Sequence, residues 1–306
     1  MPDPRTSEEV TSRTRLFESA SGLVERVECR SSQPGLIAED FSPDFKVAFP
    51  YRGGFVWHVG GDAVISDPNQ VLFIRGGEPF RVGQHRPDGF GEVIITPAAS
   101  ILRAVSEATG FDLERHPLFA ARSRRAPPML QRRCAQFLHQ AVNDDRPTDL
   151  DLDDALISLL RDALQLEAPA FVSSPRTRRL IRRAKEFVDA HFTERLRLSD
   201  VGRAVGASPA YVTDVFRRFE GISLRRYVTQ LRLARALVEL PYSTGITSLA
   251  LDLGFSSHSH FTLAFRRAFG CTPSEFRRIT HIGTSQRAGL ASKPAWLGPP
   301  GPREHQ

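Results

Sequence analysis

Two stretches in the last third of the chain are copies of one pattern, and this repeat restricts the fold more than any other feature. Val201 to Tyr227 reads VGRAVGASPAYVTDVFRRFEGISLRRY, and Leu249 to Phe276 reads LALDLGFSSHSHFTLAFRRAFGCTPSEF. Gly206 aligns with Gly254, Phe216 with Phe265, Arg217–Arg218 with Arg266–Arg267, Gly221 with Gly270 and Tyr227 with Phe276. The offset is 48 residues at the first glycine and 49 afterwards, which puts a one-residue insertion near Ser257. The chain thus carries one supersecondary unit twice.

Each copy has the physics of a helix-turn-helix. A short apolar helix (Val201, Ala204, Val205; Leu249, Ala250, Leu253) runs into a glycine. Helix C-termini commonly need a left-handed residue, which glycine supplies without steric cost. A serine then caps the next helix: Ser208 before Pro209 in the first copy, Ser256 or Ser257 before His258 in the second. Proline suits a first helical position because its missing N–H would be unsatisfied there anyway. The second helix of each copy carries apolar residues mostly at helical spacing, Val212, Val215, Phe216 and Phe219 in one, Phe261, Leu263, Phe265 and Phe269 in the other. Short polar residues open it and an Arg-Arg pair lies near its end.

This region resembles the DNA-binding domain of the AraC/XylS family of bacterial transcription regulators. The resemblance rests on GFSSHSHFTLAFRRAFGCTPSEFRR at 254–278 and on LRLARALVEL at 231–240, which joins the two halves. It covers roughly residues 177–280. One departure is Leu224 after Ser223, where such sequences usually carry proline; Ser223 can still cap. The resemblance implies that the base-facing positions are Ala210, Thr213 and Asp214 in the first unit and His258, Ser259, Thr262 and Leu263 in the second. Asp214 suits a cytosine amino group, His258 a guanine N7 or a phosphate, and Ala210 a thymine methyl. None of these positions holds Arg, Asn or Gln, so affinity is expected to lean on phosphate contacts from Arg217, Arg218, Arg232, Arg266 and Arg267, which position without reading sequence. Pairing of Arg217 and Arg266 with local acids is the alternative. Implied partners are double-stranded DNA and RNA polymerase.

The charge distribution agrees. Residues 1–174 carry a net charge of −6 and residues 175–280 carry +10, from 19 basic and 9 acidic side chains. Such asymmetry points to nucleic-acid binding by the C-terminal part; a solvated basic face is the plainer alternative. Cys29, Cys134 and Cys271 form neither a metal spacing nor a disulfide framework, so buried thiols in a reducing cytosol are expected. No run approaches the roughly 18 apolar residues of a membrane-spanning helix, and the N-terminus has no apolar core of signal-peptide length. A cytoplasmic protein without a membrane partner is expected.

The fold class expected is α+β multidomain: an N-terminal cupin-like β-barrel with a helical hairpin, then an all-α domain with two helix-turn-helix motifs. Residues 1–13 read as frayed. Strands are expected at Leu23–Cys29, Phe45–Phe49, Phe55–Val59, Val71–Ile74, Pro79–Val82 and Glu92–Thr96, short runs at the spacing of a sandwich or barrel. Helices are expected from Pro97 to about Ala108, then at Met129–Val142 and Leu150–Leu166, with a connector over 115–128. The boundaries are 14–166 for an effector-binding and dimerisation domain, 167–176 for a linker, 177–281 for the DNA-binding domain and 282–306 for a disordered tail. The hairpin of 129–166 reads either as packing against the barrel or as a homodimer interface.

The segments GFVWHVGG and DPNQVLFIRGGEPFRV resemble the effector-binding barrel often found in this family. Phe55, Trp57, Phe73 and Phe80 read as barrel core or as the apolar wall of an effector pocket. In the pocket reading His58, Arg75, Arg81 or His85 orients a small-molecule effector. Metal-binding cupins place His-x-His and a Glu on one strand pair, so that donors converge from alternate positions. No His-x-His precedes residue 258, so no metal or other cofactor is expected. Catalysis is not expected either. A DNA-repair methyltransferase needs an activated cysteine, usually in a Pro-Cys-His-Arg setting, and Cys29 (ECR) and Cys134 (RCA) lack it. The reading is an effector-responsive transcription activator, with a repressor or a ligand-independent DNA-binding regulator as alternatives.

Overall fold

The computed structural model describes residues 10–30, 35–36, 40–84, 89–110, 122–142, 147–166 and 174–280. The N-terminal half consists of two antiparallel sheets. Its strands are β1 (Val10–Ser19), β2 (Gly22–Arg30), β3 (Gly35–Leu36), β4 (Asp40–Phe41), β5 (Lys46–Arg52), β6 (Phe55–Val59), β7 (Asp62–Ser66), β8 (Gln70–Ile74), β9 (Pro79–Gln84) and β10 (Phe90–Pro97); after helix α1 (Ala99–Thr109) comes β11 (Ser123–Arg125). One sheet has the order β1-β2-β10-β5-β8-β11; the other runs β3-β9-β6-β7, with β4 also paired to β9.

All six expected strands are present, Phe55–Val59 with the expected ends and the other five with shifted ones. Strand β8 shows why its sequence, VLFI, lacks a polar alternation. Val71 and Phe73 join the core beneath the helices, while Leu72 and Ile74 join the core between the sheets. A strand covered on both faces reads as a continuous apolar run.

Strands β1, β3, β4, β7 and β11 are not among those expected from the sequence. Residues 10–19, expected to fray as far as residue 13, pair with β2 along their length, yet within 11–19 the buried hydrophobics are Leu16 and Phe17 alone. An edge strand held mainly by its ladder gives little apolar signal.

Helices α1, α2 (Pro128–Ala141) and α3 (Asp149–Leu164) cover the six-stranded sheet. Thr148 and Asp151 form a capping box at the start of α3, satisfying two of the orphan N–H groups there. The apolar stripes of the hairpin, Leu130, Cys134 and Phe137 on α2 and Leu152, Leu156 and Leu159 on α3, are buried in the core they share with the sheet. Packing against the barrel is what those stripes do.

The C-terminal half is α4 (Pro175–His191), α5 (Leu198–Val205), α6 (Pro209–Glu220), α7 (Leu224–Glu239), a 3-10 turn at Leu240–Tyr242, α8 (Ile246–Asp252), α9 (His258–Phe269) and α10 (Pro273–Ile279). Two separate cores form. Ile181, Val201, Val212, Phe216 and Tyr227 fill the first; Leu249, Phe255, Phe261, Phe265 and Phe276 fill the second. Helix α7 is common to both, giving Tyr227 and Leu231 to one and Leu233 and Leu237 to the other.

The N-terminal half seats each core separately. Below the first lies a buried ionic cluster. Lys185 Nζ of α4 stands 2.6 Å from Glu220 Oε1 at the end of α6 and 3.8 Å from Asp67 Oδ2, in the turn before β8. The Tyr227 hydroxyl donates to Asp67, and the Asn69 side-chain amide donates to the Tyr227 carbonyl at 3.2 Å. Burial works against the Lys185 ammonium, but Glu220 and Asp67 outweigh it and raise its pKa. The second core receives α2: Ala135 packs into it, Arg132 Nη1 donates to the Phe269 carbonyl at 2.6 Å, and His139 Nε2 donates to the Leu237 carbonyl at 2.8 Å.

Candidate nucleic-acid interface

Helices α6 and α9 are the equivalent second helices of the two units, and each begins on a serine cap. Ser208 accepts from the Tyr211 amide at 3.3 Å and Ser257 from the His260 amide at 3.1 Å. Of the two serines considered for the second cap, Ser257 holds the position. Removing such a cap costs about 1 kcal/mol. Ser257→Ala is therefore expected to lower stability by about that much in thermal unfolding, and Ser256→Ala by less than about 0.5 kcal/mol. Equal losses would reject the assignment. Ser223 also caps, accepting from the Arg226 amide at 3.3 Å, so Leu224 in place of proline leaves the α7 start intact.

Two glycines are demanded by geometry. Gly206 ends α5 with φ 71°. Gly254 turns with φ 81°, and a Cβ there would meet the Thr193 carbonyl oxygen at 2.2 Å.

The expected base-facing residues gather at the N-terminal turns of the two helices. Ala210 and Asp214 are exposed on α6 with Thr213 half-buried; His258, Ser259 and Leu263 are exposed on α9 with Thr262 half-buried. Their polar atoms are partly engaged. Thr213 Oγ1 donates to the Pro209 carbonyl at 2.9 Å, and Thr262 Oγ1 lies 3.5 Å from His258 Nε2. Asp214 accepts from Arg218 Nε at 3.1 Å across one helical turn, so the pairing with a local acid expected of Arg217 and Arg266 falls on Arg218. Arg217, Arg266 and Arg267 are exposed.

Tyr211 and His260 escaped the sequence reading. Both are exposed in the same first turns, and the 49-residue offset that equates Phe216 with Phe265 also equates these two. That offset was the signal available. His260 Nδ1 also lies 3.1 Å from Ser256 Oγ.

Arg232 needs correcting. Its guanidinium, expected on a phosphate, donates to three backbone carbonyls: Phe192 at 2.6 Å, Gly254 at 2.6 Å and Glu194 at 2.8 Å. From α7 it ties the end of α4 to the turn of the second unit, which commits three of its five N–H donors to the protein's own backbone. Burial lowers its pKa.

The expected effector residues do not converge. Phe55, Trp57 and Phe80 line a cavity of about 80 Å³ between the sheets. Phe73 points the other way, into the core beneath the helices. His58 alternates with Trp57 and Val59, so it faces outward, where burial and Arg182 lower its pKa. Arg75 and Arg81 are exposed, and His85 lies outside the described residues. The two-residue period of a strand separates neighbours to opposite faces. Instead Glu92, Arg13, Lys46, Thr11 and Ser42 supply the polar lining. Among the described residues no three His, Cys, Asp or Glu side chains gather as a metal-binding group, and no helix is long and apolar enough to cross a membrane.

Two helix-turn-helix units on one connecting helix, each with an exposed capped second helix, define a double helix-turn-helix DNA-binding fold. Residues 201–279 match a family model described as a helix-turn-helix domain. The regulatory protein PocR of Salmonella typhimurium is 35% identical over 99 residues, 32% of this chain and 33% of PocR. The regulatory protein SoxS of the same organism is 37% identical over 93 residues, 30% of this chain and 87% of SoxS. The thermoregulatory protein LcrF of Yersinia pestis is 27% identical over 250 residues, 76% of this chain and 89% of LcrF. The aligned part of the chain thus spans only about a third of PocR, whereas it spans most of the other two. The chain belongs to the AraC/XylS family of transcription regulators.

Proposed function

We propose that this protein is a sequence-specific DNA-binding transcription regulator, an activator responsive to a small molecule held in its N-terminal half. The observation that carries this reading is the equivalence of α6 and α9: two exposed first turns, each followed by an arginine pair, on units fixed to one helix. Such an arrangement suits entry into successive major-groove segments about 34 Å apart on one DNA face. Ala210, Tyr211, Thr213 and Asp214 then face bases in one segment, and His258, Ser259, His260, Thr262 and Leu263 in the other. Arg217, Arg266 and Arg267 meet phosphates, and Arg218 joins them once Asp214 engages a base.

RNA polymerase is the proposed protein partner. A homodimer through 129–166 would use what the hairpin leaves outside, including Met129 and Leu150, which are 49% and 73% exposed. The protein acts as a regulator without catalysis.

Footprinting of the full chain on the DNA flanking its own gene, at two salt concentrations, tests the proposal. A bounded footprint that survives competitor DNA is expected. Diffuse protection erased by salt would mean counterion release alone. Arg266→Ala and Arg267→Ala are each expected to weaken binding to all sequences alike and to reduce the salt slope by about 1. An unchanged slope would remove that arginine from the phosphate contacts.

A further inference from the structure

Two residues that line the cavity between the two sheets each carry a buried polar atom that the fold leaves unsatisfied. Glu92 of β10 is 8% exposed, and its Oε2 has no hydrogen-bond partner. Trp57 of β6, in the facing sheet, lines the same cavity, and its buried indole Nε1 has none either. Burial raises the Glu92 pKa to about 7, against the pull of Arg13 and Lys46. Most of the rest of the wall is apolar, including Val27, Leu72, Phe90 and Ile94.

Buried polar atoms without partners are few in native proteins and costly. Here they are complementary. An indole N–H only donates, and a carboxylate oxygen only accepts. Facing sheets lie about 10 Å apart, a gap that a glutamate and a tryptophan reaching from opposite sides nearly close. A single hydroxyl both donates and accepts; an ammonium only donates, while an ether or a carboxylate only accepts. The volume, about 80 Å³, is roughly half that of a ~150 Å³ cavity known to hold benzene, so it suits a body of about four or five heavy atoms. Phe41, which is 57% exposed, also lines the cavity and marks its mouth.

We propose that this cavity binds a compact neutral alcohol, whose apolar body fills the space and whose hydroxyl donates to Glu92 Oε2 and accepts from Trp57 Nε1. The proposal rests on the N-terminal half being the sensing half.

The test is a ligand-observed NMR titration of the full chain at about pH 8.5, above the Glu92 pKa of about 7, with four probes of similar size: butan-1-ol, n-butylamine, butyrate and methyl propyl ether. Butan-1-ol is expected to bind about tenfold or more tighter than each of the others, since each leaves a buried atom unpaired. Glu92→Met is expected to bring butan-1-ol to within about threefold of the ether, since both then only accept from Trp57 Nε1, and Trp57→Phe to bring it to within about threefold of n-butylamine, since both then only donate to Glu92 Oε2; binding of the ether to Glu92→Met holds and reports an intact cavity. Equal binding of all four probes, no binding of any, or an alcohol preference that survives both substitutions overturns the assignment. The footprint separates this outcome from failure of the regulator reading. A bounded footprint without alcohol preference sinks only the ligand. Alcohol preference with salt-erased, diffuse protection sinks only the regulator.

Discussion

A Lys185→Met variant of the full chain is expected to lose about 3–5 kcal/mol of stability, the usual consequence of removing one partner from a buried ion pair. Lys185 is the ammonium set between Asp67 and Glu220, and all three are less than 9% exposed. Without it two buried carboxyl groups lose the ammonium that stands between them. Asp67 already has a raised pKa from burial, held down by Lys185 and by the Tyr227 hydroxyl. Urea unfolding of parent and variant measures the loss. The triple change Asp67→Asn, Lys185→Met, Glu220→Gln is expected to recover most of it, because replacing a whole buried ionic group is often close to neutral. A single variant within about 0.5 kcal/mol of the parent, the range of ordinary surface changes, would rule out the cluster as a stabilising seat.

The second large effect concerns acid. His139 is fully buried with a pKa lowered to about 4 by burial, against an ordinary value of 6.5. Its Nε2 hydrogen goes to the Leu237 carbonyl, which fixes the neutral tautomer. Below pH 6.5 the unfolded chain takes up a proton that the folded chain refuses, so stability falls from pH 6.5 down to about 4, by about 3 kcal/mol in all. Glu92 works in the opposite direction. Its pKa, raised to about 7 from 4.5, makes the folded chain hold a proton that the unfolded chain has released. Its contribution is present in full below 4.5 and is lost as pH rises through 7, again about 3 kcal/mol. The two nearly cancel, so the parent curve hides both. The difference between His139→Gln and the parent is expected to shift by about 3 kcal/mol in favour of the variant between pH 6.5 and 4. A difference that stays constant with pH would show that His139 takes no part.

The C-terminal architecture was legible because a repeat tests itself. Each glycine, serine cap and phenylalanine in one copy predicts its counterpart in the other, and both cores form where the pattern places them. The N-terminal strands were legible where apolar residues cluster, as in β8, and illegible where pairing alone sustains them, as in β1. Side-chain destinations failed at three kinds of position. Phe73 took the core rather than the pocket because β8 is covered on both faces, and sequence cannot say which of them bounds the cavity; His58 missed the pocket because Trp57 and Val59 take the inward face of β6. Arg232 went wrong because its carbonyl partners, Phe192, Glu194 and Gly254, lie 40, 38 and 22 residues away. Glu92 was passed over because a lone acid in an apolar strand gives no hint that its partner is missing. The ionic cluster joining Asp67 to Lys185 spans 118 residues and has no local signature.

The separate seating of the two cores bears on how this molecule can be cut and recombined. One reading unit is fastened through Glu220, Lys185 and Tyr227, the other through Leu237 and the Phe269 carbonyl, and both fasteners end in the N-terminal half. A fragment comprising 174–280 alone would bare a lysine, a tyrosine and an aliphatic ridge that the intact molecule keeps from water. Transplanting these reading units onto a foreign sensor thus calls for moving the Asp67–Asn69 turn and α2 along with them, or for recolouring that ridge with polar side chains. The natural unit of exchange is the DNA-reading half together with its seat.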